Sequence, residues 1–464
     1  MTQNHEIRRR QIIAENVRTL RDRLAWVQKE LAAKAKVSIE TVSRIERGLP
    51  NVHRAKLRDV AQALRTTTEE LERPAPAEPT YREGSPVTAT PRHFGALIDD
   101  LTRDFVGREH IFAEISRFRV QRRTERRGGY FVLQGRPGEG KSAIVARLAQ
   151  RDNCLVYFNQ ATTGNNSVHA FLRELHVQLT ARRGDVSPAP TGDAAFDGTW
   201  LTRALQSARD RDDAELFIAV DALDEVNMTH APDATPLFLP PSLPVGIHVV
   251  VTQRPGSVRL PNPEAAEIKL ADFTAHNQRD ISDYIEQFSG RGAVVRWLAT
   301  RGVDRERFVK VLAERSQENF MYLRHVLPIF ERQDSEWHDI DRLPRGLTAY
   351  YDDHWRRMGM VGAHTPRLKL KILYALAEIR AAVSRAILTS VCDCSALEVQ
   401  HVLDEWAAFL RCERIDGENW YSLYHQSFQD FLKDQPTIDA SRVDLGEINH
   451  AISQWSTAEI PIND

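Results

Sequence analysis

Cysteine is scarce, long apolar runs are missing and neither sign of charge dominates. Four cysteines in 464 residues, Cys154, Cys392, Cys394 and Cys412, cannot build a disulfide framework for a chain of this size. Cys392-Asp-Cys394 has one residue too few between its thiols for a zinc knuckle, so four buried thiols are the expectation. The amino terminus opens on polar and charged residues without an apolar run of signal-peptide length, and no run approaches a membrane span. A cytoplasmic, reducing location with no membrane partner is therefore expected. With 62 Lys and Arg against 64 Asp and Glu, the formal net charge is -2, and overall charge names no partner. No internal repeat of solenoid or propeller period is visible.

What is present is a long chain with distinct regions. Its length suits roughly three compact units, and 42% hydrophobic with 27% charged residues excludes a disordered polymer. Residues 1–73 carry roughly six more Lys and Arg than Asp and Glu, which raises nucleic acid as a partner for that end. Pro74, Pro76, Pro79, Pro86 and Pro91 then alternate with Ala, Glu, Thr and Gly, a composition that stays extended and reads as a linker over 74–93. Beyond it, short apolar or β-branched runs at Tyr130–Gln134, Cys154–Asn159, Leu216–Val220 and Ile247–Thr252 alternate with helical spacing at Ser142–Arg151, Val168–Ala181 and Thr199–Arg209. Strands alternating with helices predict an α/β domain with a parallel sheet. From Ala275 strand signals fade and helical patterns run to about Leu432, with a polar turn at Asp416–Asn419 suited to the wing of a small hairpin.

Three stations carry chemistry. Gly135 to Ser142 reads GRPGEGKS directly after a predicted strand. Glycines at these spacings let successive backbone N–H groups face phosphate oxygens, and the following helix adds its positive end. This makes Gly135, Pro137, Gly138, Gly140, Lys141, Ser142 and Ala143 nucleotide-binding candidates, with Lys141 reaching the β- and γ-phosphates and Ser142 a ligand of Mg²⁺. Leu216-Phe-Ile-Ala-Val220 runs into Asp221-Ala-Leu-Asp224-Glu225. A carboxylate ending an apolar strand beside the phosphate loop is where Mg²⁺ needs a ligand, so Asp221 takes that role. Asp224 or Glu225, with Glu225 slightly favoured, would activate water, and the other reading is that one of them caps the next helix. Ile247–Thr252 leads into Gln253-Arg254-Pro255, placing a cation at the carboxyl edge of the sheet to sense a γ-phosphate.

Together GRPGEGKS, LFIAVDALDE and VVVTQRP resemble the STAND class of signal-transduction ATPases, nearest its NACHT branch. Phe105-Val-Gly-Arg-Glu109 is similar to the segment that wraps adenine in that class, which adds Val106, Gly107 and Arg108 to the candidates. Glu318-Asn-Phe-Met-Tyr322 resembles a motif of its helical domain, and Leu343-Pro-Arg-Gly-Leu347 with Tyr350, Tyr351 and Trp355 resembles the start of its winged helix. Tyr424-His-Gln-Ser-Phe428, continuing Gln-Asp-Phe-Leu432, is similar to the motif whose histidine contacts the β-phosphate of ADP, which makes His425 the candidate lock. The resemblance covers about Phe105 to Leu432. No GxP motif of the plant-resistance and apoptosome branch is visible, and a repeat-built sensor of the kind that usually follows the winged helix is not apparent before Asp464. It implies a nucleotide-binding domain at 94–272, a helical domain at 273–342, a winged helix at 343–436, and the start of a linker or sensor at 437–464.

The amino-terminal segment resembles the phage-repressor-like helix-turn-helix family, through Leu20-Arg21, Gln28-Lys-Glu-Leu-Ala32 and Val37 to Gly48. Small Ala32 permits a close helix crossing, Val37 enters the turn, Val42 and Ile45 face inward, and Ser38 caps the next helix. Its exposed face would offer Ile39, Glu40, Thr41, Ser43 and Arg44 to a major groove, and Gln28 would meet a phosphate, whereas Arg21 and Glu46 pair structurally. The acidic Glu40 keeps open a protein-docking role.

The expected molecule is thus multidomain: an all-α helix-turn-helix module over 1–73, an α/β P-loop domain, then mainly α helical and winged-helix domains. Its expected cofactors are ATP or ADP with Mg²⁺. ADP would hold it closed and ATP would open it to a homo-oligomer that clusters the amino-terminal modules, with slow hydrolysis as the reset. Duplex DNA, a partner protein or a sensor acting in trans are expected partners, and transcription control or bacterial immune signalling the output. The rival readings are a DNA-binding regulator with the ATPase region as scaffold, and an adaptor that docks a protein.

Overall fold

A computed structural model of the chain describes residues 13–14, 16–17, 21, 28–47, 49, 53–64, 66–71, 94–152, 154–184, 189–190, 199–211, 214–228, 235–257, 260, 262, 264–332, 339–361, 365–415, 417–436, 438 and 446–452. Two compact units emerge, one holding the described residues up to 71 and the other those from 94 to 452. The proline-rich stretch read as a linker lies outside the described residues.

The first unit is helical: α1 (Gln28–Lys34), α2 (Ile39–Glu46), α3 (Arg54–Ala63) and α4 (Thr68–Leu71). Leu31, Val42, Val60 and Leu71 meet in its core, with Ala32 and Ile45 beside them. Lys36 takes the left-handed φ of 54° that ends α1. Ser38 then caps α2, its hydroxyl accepting the Thr41 N–H at 3.2 Å.

The second unit begins with α5 (Gly95–Thr102) and α6 (Glu109–Thr124), then alternates β1 (Gly129–Gln134), α7 (Lys141–Asp152), β2 (Leu155–Phe158), α8 (Val168–Arg183), α9 (Thr199–Arg211), β3 (Leu216–Asp221), β4 (Ile247–Gln253) and β5 (Ala266–Lys269). The five strands form one parallel sheet in the order β2-β3-β4-β1-β5. Every residue of β1 to β4 is buried, as helices on both faces require, and this is why those strands read as unbroken apolar runs. Edge strand β5, Ala-Glu-Ile-Lys, alternates half-buried and exposed residues and gives no such signal.

Helices α10 (Thr274–Ser289), α11 (Gly292–Arg301), α12 (Arg305–Ser316) and α13 (Phe320–Val326) follow. The last region comprises α14 (Gly346–Arg357), α15 (Arg367–Ile379), β6 (Val383–Ser384), α16 (Arg385–Cys392), α17 (Ala396–Glu405), β7 (Leu410–Ile415), β8 (Glu418–Leu423) and α18 (Gln426–Lys433). Strands β7 and β8 make the hairpin expected around the turn before Asn419, and the two-residue β6 completes an antiparallel sheet in the order β6-β8-β7. The region is held by packed aromatics. Tyr351, Trp355, Trp406, Phe409 and Phe428 are buried, and the Phe409 and Phe428 rings stack 4.6 Å apart. Burying each such side chain is worth about 2–3 kcal/mol.

Candidate nucleotide-binding site

The loop from Gly135 to Lys141 leaves the carboxyl end of buried β1 and turns into α7. Gly138 and Gly140 hold φ of +83° and +92°, values that side chains with a Cβ rarely adopt. Gly138 has a second reason to be glycine, because a Cβ there would lie 2.3 Å from Asn319 Oδ1. The turn before α13 is seated on the loop. Asn319 donates from Nδ2 to the Pro137 carbonyl at 2.9 Å, and the Phe320 and Met321 N–H groups donate to the Gly138 carbonyl at 2.9 and 3.2 Å. Gln317 and Glu318 reach this position through successive left-handed residues, with φ of 52° and 61°.

Lys141 folds over the loop, its Nζ donating to the carbonyls of Gly135 at 2.7 Å and Arg136 at 3.1 Å. Burial lowers its pKa, against the raising effect of Asp221, Asp224 and Glu139. Ser142 and Ala143 form the first turn of α7, whose N–H groups have no acceptor inside the helix.

Strand β3 is not the neighbour of β1; β4 lies between them. The phosphate loop and the acidic strand are therefore linked through the end of β4. There the Thr252 hydroxyl donates to Asp221 and accepts the Ala222 N–H at 2.9 Å. Ser142 also hydrogen-bonds Asp221, which is buried, and burial raises its pKa. A hydroxyl and a carboxylate in contact are the hard oxygen donors that Mg²⁺ prefers, so Ser142 and Asp221 fit that ion. Phosphate is fitted by the two left-handed glycines and the Lys141 ammonium.

The acidic tail divides its work. Asp224 grips Arg254 twice, accepting its backbone N–H at 3.1 Å and facing its Nε at 3.1 Å. Glu225 turns the other way and accepts the Ala161 N–H at 2.9 Å, so neither caps a following α-helix. Burial pushes the Glu225 pKa up to about 8, helped by Asp224 and Asp221. Arg254 carries a second ion pair, from Nη1 to Asp430 of α18 at 2.7 Å.

His425 caps α18. Its Nδ1 accepts the Ser427 N–H at 3.1 Å and lies 2.7 Å from the Ser427 hydroxyl, which is 3.0 Å from the Tyr351 hydroxyl. An accepting Nδ1 leaves the hydrogen on Nε2 of a neutral ring. Burial, then the cations Lys141, Arg254 and Arg324, lower its pKa to about 3. The charges of Lys141 and Arg254 thus act on His425, and Asp430 of the same helix pairs with Arg254.

Of Val106, Gly107 and Arg108, Arg108 reaches the phosphate loop and is committed to protein partners. Its guanidinium donates to Asn277 Oδ1 and, at 2.7 Å, to the Glu139 carbonyl, and its backbone N–H donates to Asp280 at 3.1 Å. A Cβ on Gly107 would strike Asp280 at 2.1 Å. The segment expected around adenine therefore also joins α10 to the phosphate loop.

In the first unit Gln28, expected on a phosphate, donates to the buried Glu46 at 2.7 Å. Arg21 pairs with the same carboxylate at 2.6 Å. Ile39 and Glu40 are exposed on α2, while Thr41, Ser43 and Arg44 are half-buried. Among residues that motif reading left without a role, Thr252, Asn319, Ser427 and Asp430 carry the site's connections. Each sits inside a recognised stretch, but its partner is far away in sequence.

Fold and site define the class: a P-loop NTPase domain joined to an amino-terminal helix-turn-helix domain and followed by helical regions. Residues 12–73 match the family described as helix-turn-helix domain, and residues 109–254 match the family described as nephrocystin 3, N-terminal. No curated protein matches the chain. Among solved structures, it is similar to a signal transduction ATPase with numerous domains that carries a tetratricopeptide repeat sensor, from Pyrococcus horikoshii, with 15% identity and a TM-score of 0.39 over 77% of this chain and 46% of that one. The chain thus spans less than half the length of that protein. It is also similar to a RuvB mutant of Thermotoga maritima (13% identity, TM-score 0.26, 71% of this chain and 96% of that one). A third similarity is to Drosophila ORC bound to DNA (14% identity, TM-score 0.30, 68% of this chain and 89% of that one).

Proposed function

We propose that the chain is a nucleotide-controlled switch, held closed with ADP and opened by ATP to an assembly that clusters its helix-turn-helix modules. The observation that carries this reading is Arg254, which pairs with Asp224 at 3.1 Å and with Asp430 of the winged-helix region at 2.7 Å. Two of its five N–H donors are committed to these carboxylates, so a γ-phosphate would compete with Asp224 and Asp430 for the same cation. The Asp430 pair is partly exposed and contributes about 1 kcal/mol, whereas a charge-assisted bond to phosphate contributes about 1.5–3 kcal/mol. Arriving triphosphate therefore favours release of α18. ADP lacks that group and leaves the pair intact, with His425 Nε2–H free to donate to its β-phosphate.

Bound Mg²⁺, held by Ser142 and Asp221, would neutralise phosphate charge. Lys141 orients the phosphates, Glu225 activates water and Asp224 anchors Arg254, so hydrolysis is slow and resets the switch. In the cytoplasm the output would be transcription control or bacterial immune signalling, through duplex DNA or a docked partner protein at the amino-terminal module.

The test is the nucleotide that co-purifies. The parent chain should carry ADP on mass analysis after denaturation, and Lys141→Ala should carry none. Retention of ADP by Lys141→Ala, or an empty parent, refutes the reading.

A further inference from the structure

The β2–α8 loop grips Glu225 from two sides. Ala161 N–H binds its carboxylate at 2.9 Å, and Asn166 Nδ2 binds its backbone carbonyl at 2.7 Å. Asn227 N–H donates back to the Asn166 carbonyl at 2.9 Å. The loop is itself closed, with Gln160 N–H on the Asn165 carbonyl at 3.0 Å and the Tyr157 hydroxyl on Asn165 Oδ1 at 3.1 Å. Direction matters here. Strand β2 flanks β3 on the side opposite β4 and β1, so the Ala161 N–H draws the carboxylate away from the loop that carries Lys141. Asp224, Asp221 and Arg254 are the charged groups that act on Glu225.

The tip of the same loop reaches the winged-helix region. Gly164 sits there with φ of +74°, and a Cβ on it would lie 3.2 Å from the Arg380 carbonyl oxygen. Arg380 is the left-handed residue, φ 51°, at which α15 ends. One loop thus meets the water-activating candidate at its base and the winged-helix turn at its tip.

We infer that the 159–166 loop is a positioning restraint on Glu225, imposed by the docked winged-helix turn at Arg380, so that hydrolysis becomes efficient only when that region departs. This rests on the reading of Glu225 as the water-activating carboxylate. Released from Ala161, the carboxylate takes a proton from water as the water oxygen bonds to the γ-phosphorus. The bond to the β–γ bridging oxygen breaks, its electron pair leaving with ADP. The device makes hydrolysis follow opening, which gives the ATP state a lifetime.

The experiment is steady-state phosphate release by the full chain with ATP and Mg²⁺, alongside nucleotide affinity. Ala161→Pro removes the N–H, and Gly164→Ala wedges a methyl between loop and Arg380. Each should raise kcat roughly tenfold, the loss of one hydrogen bond, with KM within about twofold. Glu225→Gln in either background should erase the gain. Should Ala161→Pro lose nucleotide affinity, Gly164→Ala alone decides. An unchanged kcat, or a gain that survives Glu225→Gln, overturns the restraint. If Glu225→Gln fails to lower turnover in the parent chain, the water-activating role falls and the restraint with it; if it lowers turnover while the loop variants leave kcat unchanged, only the restraint falls.

Discussion

Arg254 is one residue with two loyalties, and in the proposed switch this is the point at which a small ligand would move a large region. Both carboxylates that hold it were present in recognised motifs, Asp224 in the acidic tail and Asp430 in the stretch after His425. Their meeting was not legible, because the two lie far apart in sequence and which strand ends face α18 is unknown until the sheet order is known. Asp430→Asn keeps the shape of the side chain and removes its charge. It should weaken the closed arrangement by about 1 kcal/mol, raising the fraction that self-assembles in ADP several-fold while ADP affinity falls little. Sedimentation of the variant in ADP checks this, and parent-like behaviour would mean that the ion pair does not hold the switch.

At the scale of elements, packing sets the pH range over which the closed unit survives. His325 of α13 packs half-buried against Tyr350, with ring centroids 5.6 Å apart, and desolvation, then His425, Arg324 and His354, lower its pKa to about 3 from an ordinary 6.5. The unfolded chain therefore takes up a proton below about pH 6.5 that the folded chain refuses, so stability present above that pH is lost as pH falls toward 3. His425 adds a loss of the same sign. His325 alone costs about 2 kcal/mol at pH 5. The drop in melting temperature between pH 7.5 and pH 5 should shrink by several degrees in His325→Phe, and an unchanged drop would show that His325 is not held neutral. These helices and strands were largely readable in advance. Strands β1 to β4 announce themselves because burial on both faces leaves mostly apolar residues. Strand β5 alternates at the sheet edge and β6 is two residues long, so neither has enough pattern to detect. The stretch from Glu318 to Tyr322 was visible as a motif, but its hydrogen bonds to Pro137 and Gly138 depend on the left-handed Gln317 and Glu318, a conformation that composition does not reveal.

At the scale of the whole molecule, the chain combines a module suited to DNA with a unit suited to nucleotide. A single helix-turn-helix holds duplex weakly, and pairing or clustering supplies affinity through effective concentration. Duplex binding should therefore be stronger with ATP than with ADP, and in both should fall steeply with salt as phosphate counterions are released. Binding that ignores nucleotide would favour the scaffold reading, and absence of salt-sensitive binding would favour protein docking. The central claim, that the γ-phosphate opens the chain to assembly, is tested most directly by its particle mass in solution with ADP and with ATP, each with Mg²⁺. The account predicts a monomer with ADP and a multiple of that mass with ATP; equal masses with both nucleotides, once binding of each is verified, would contradict it.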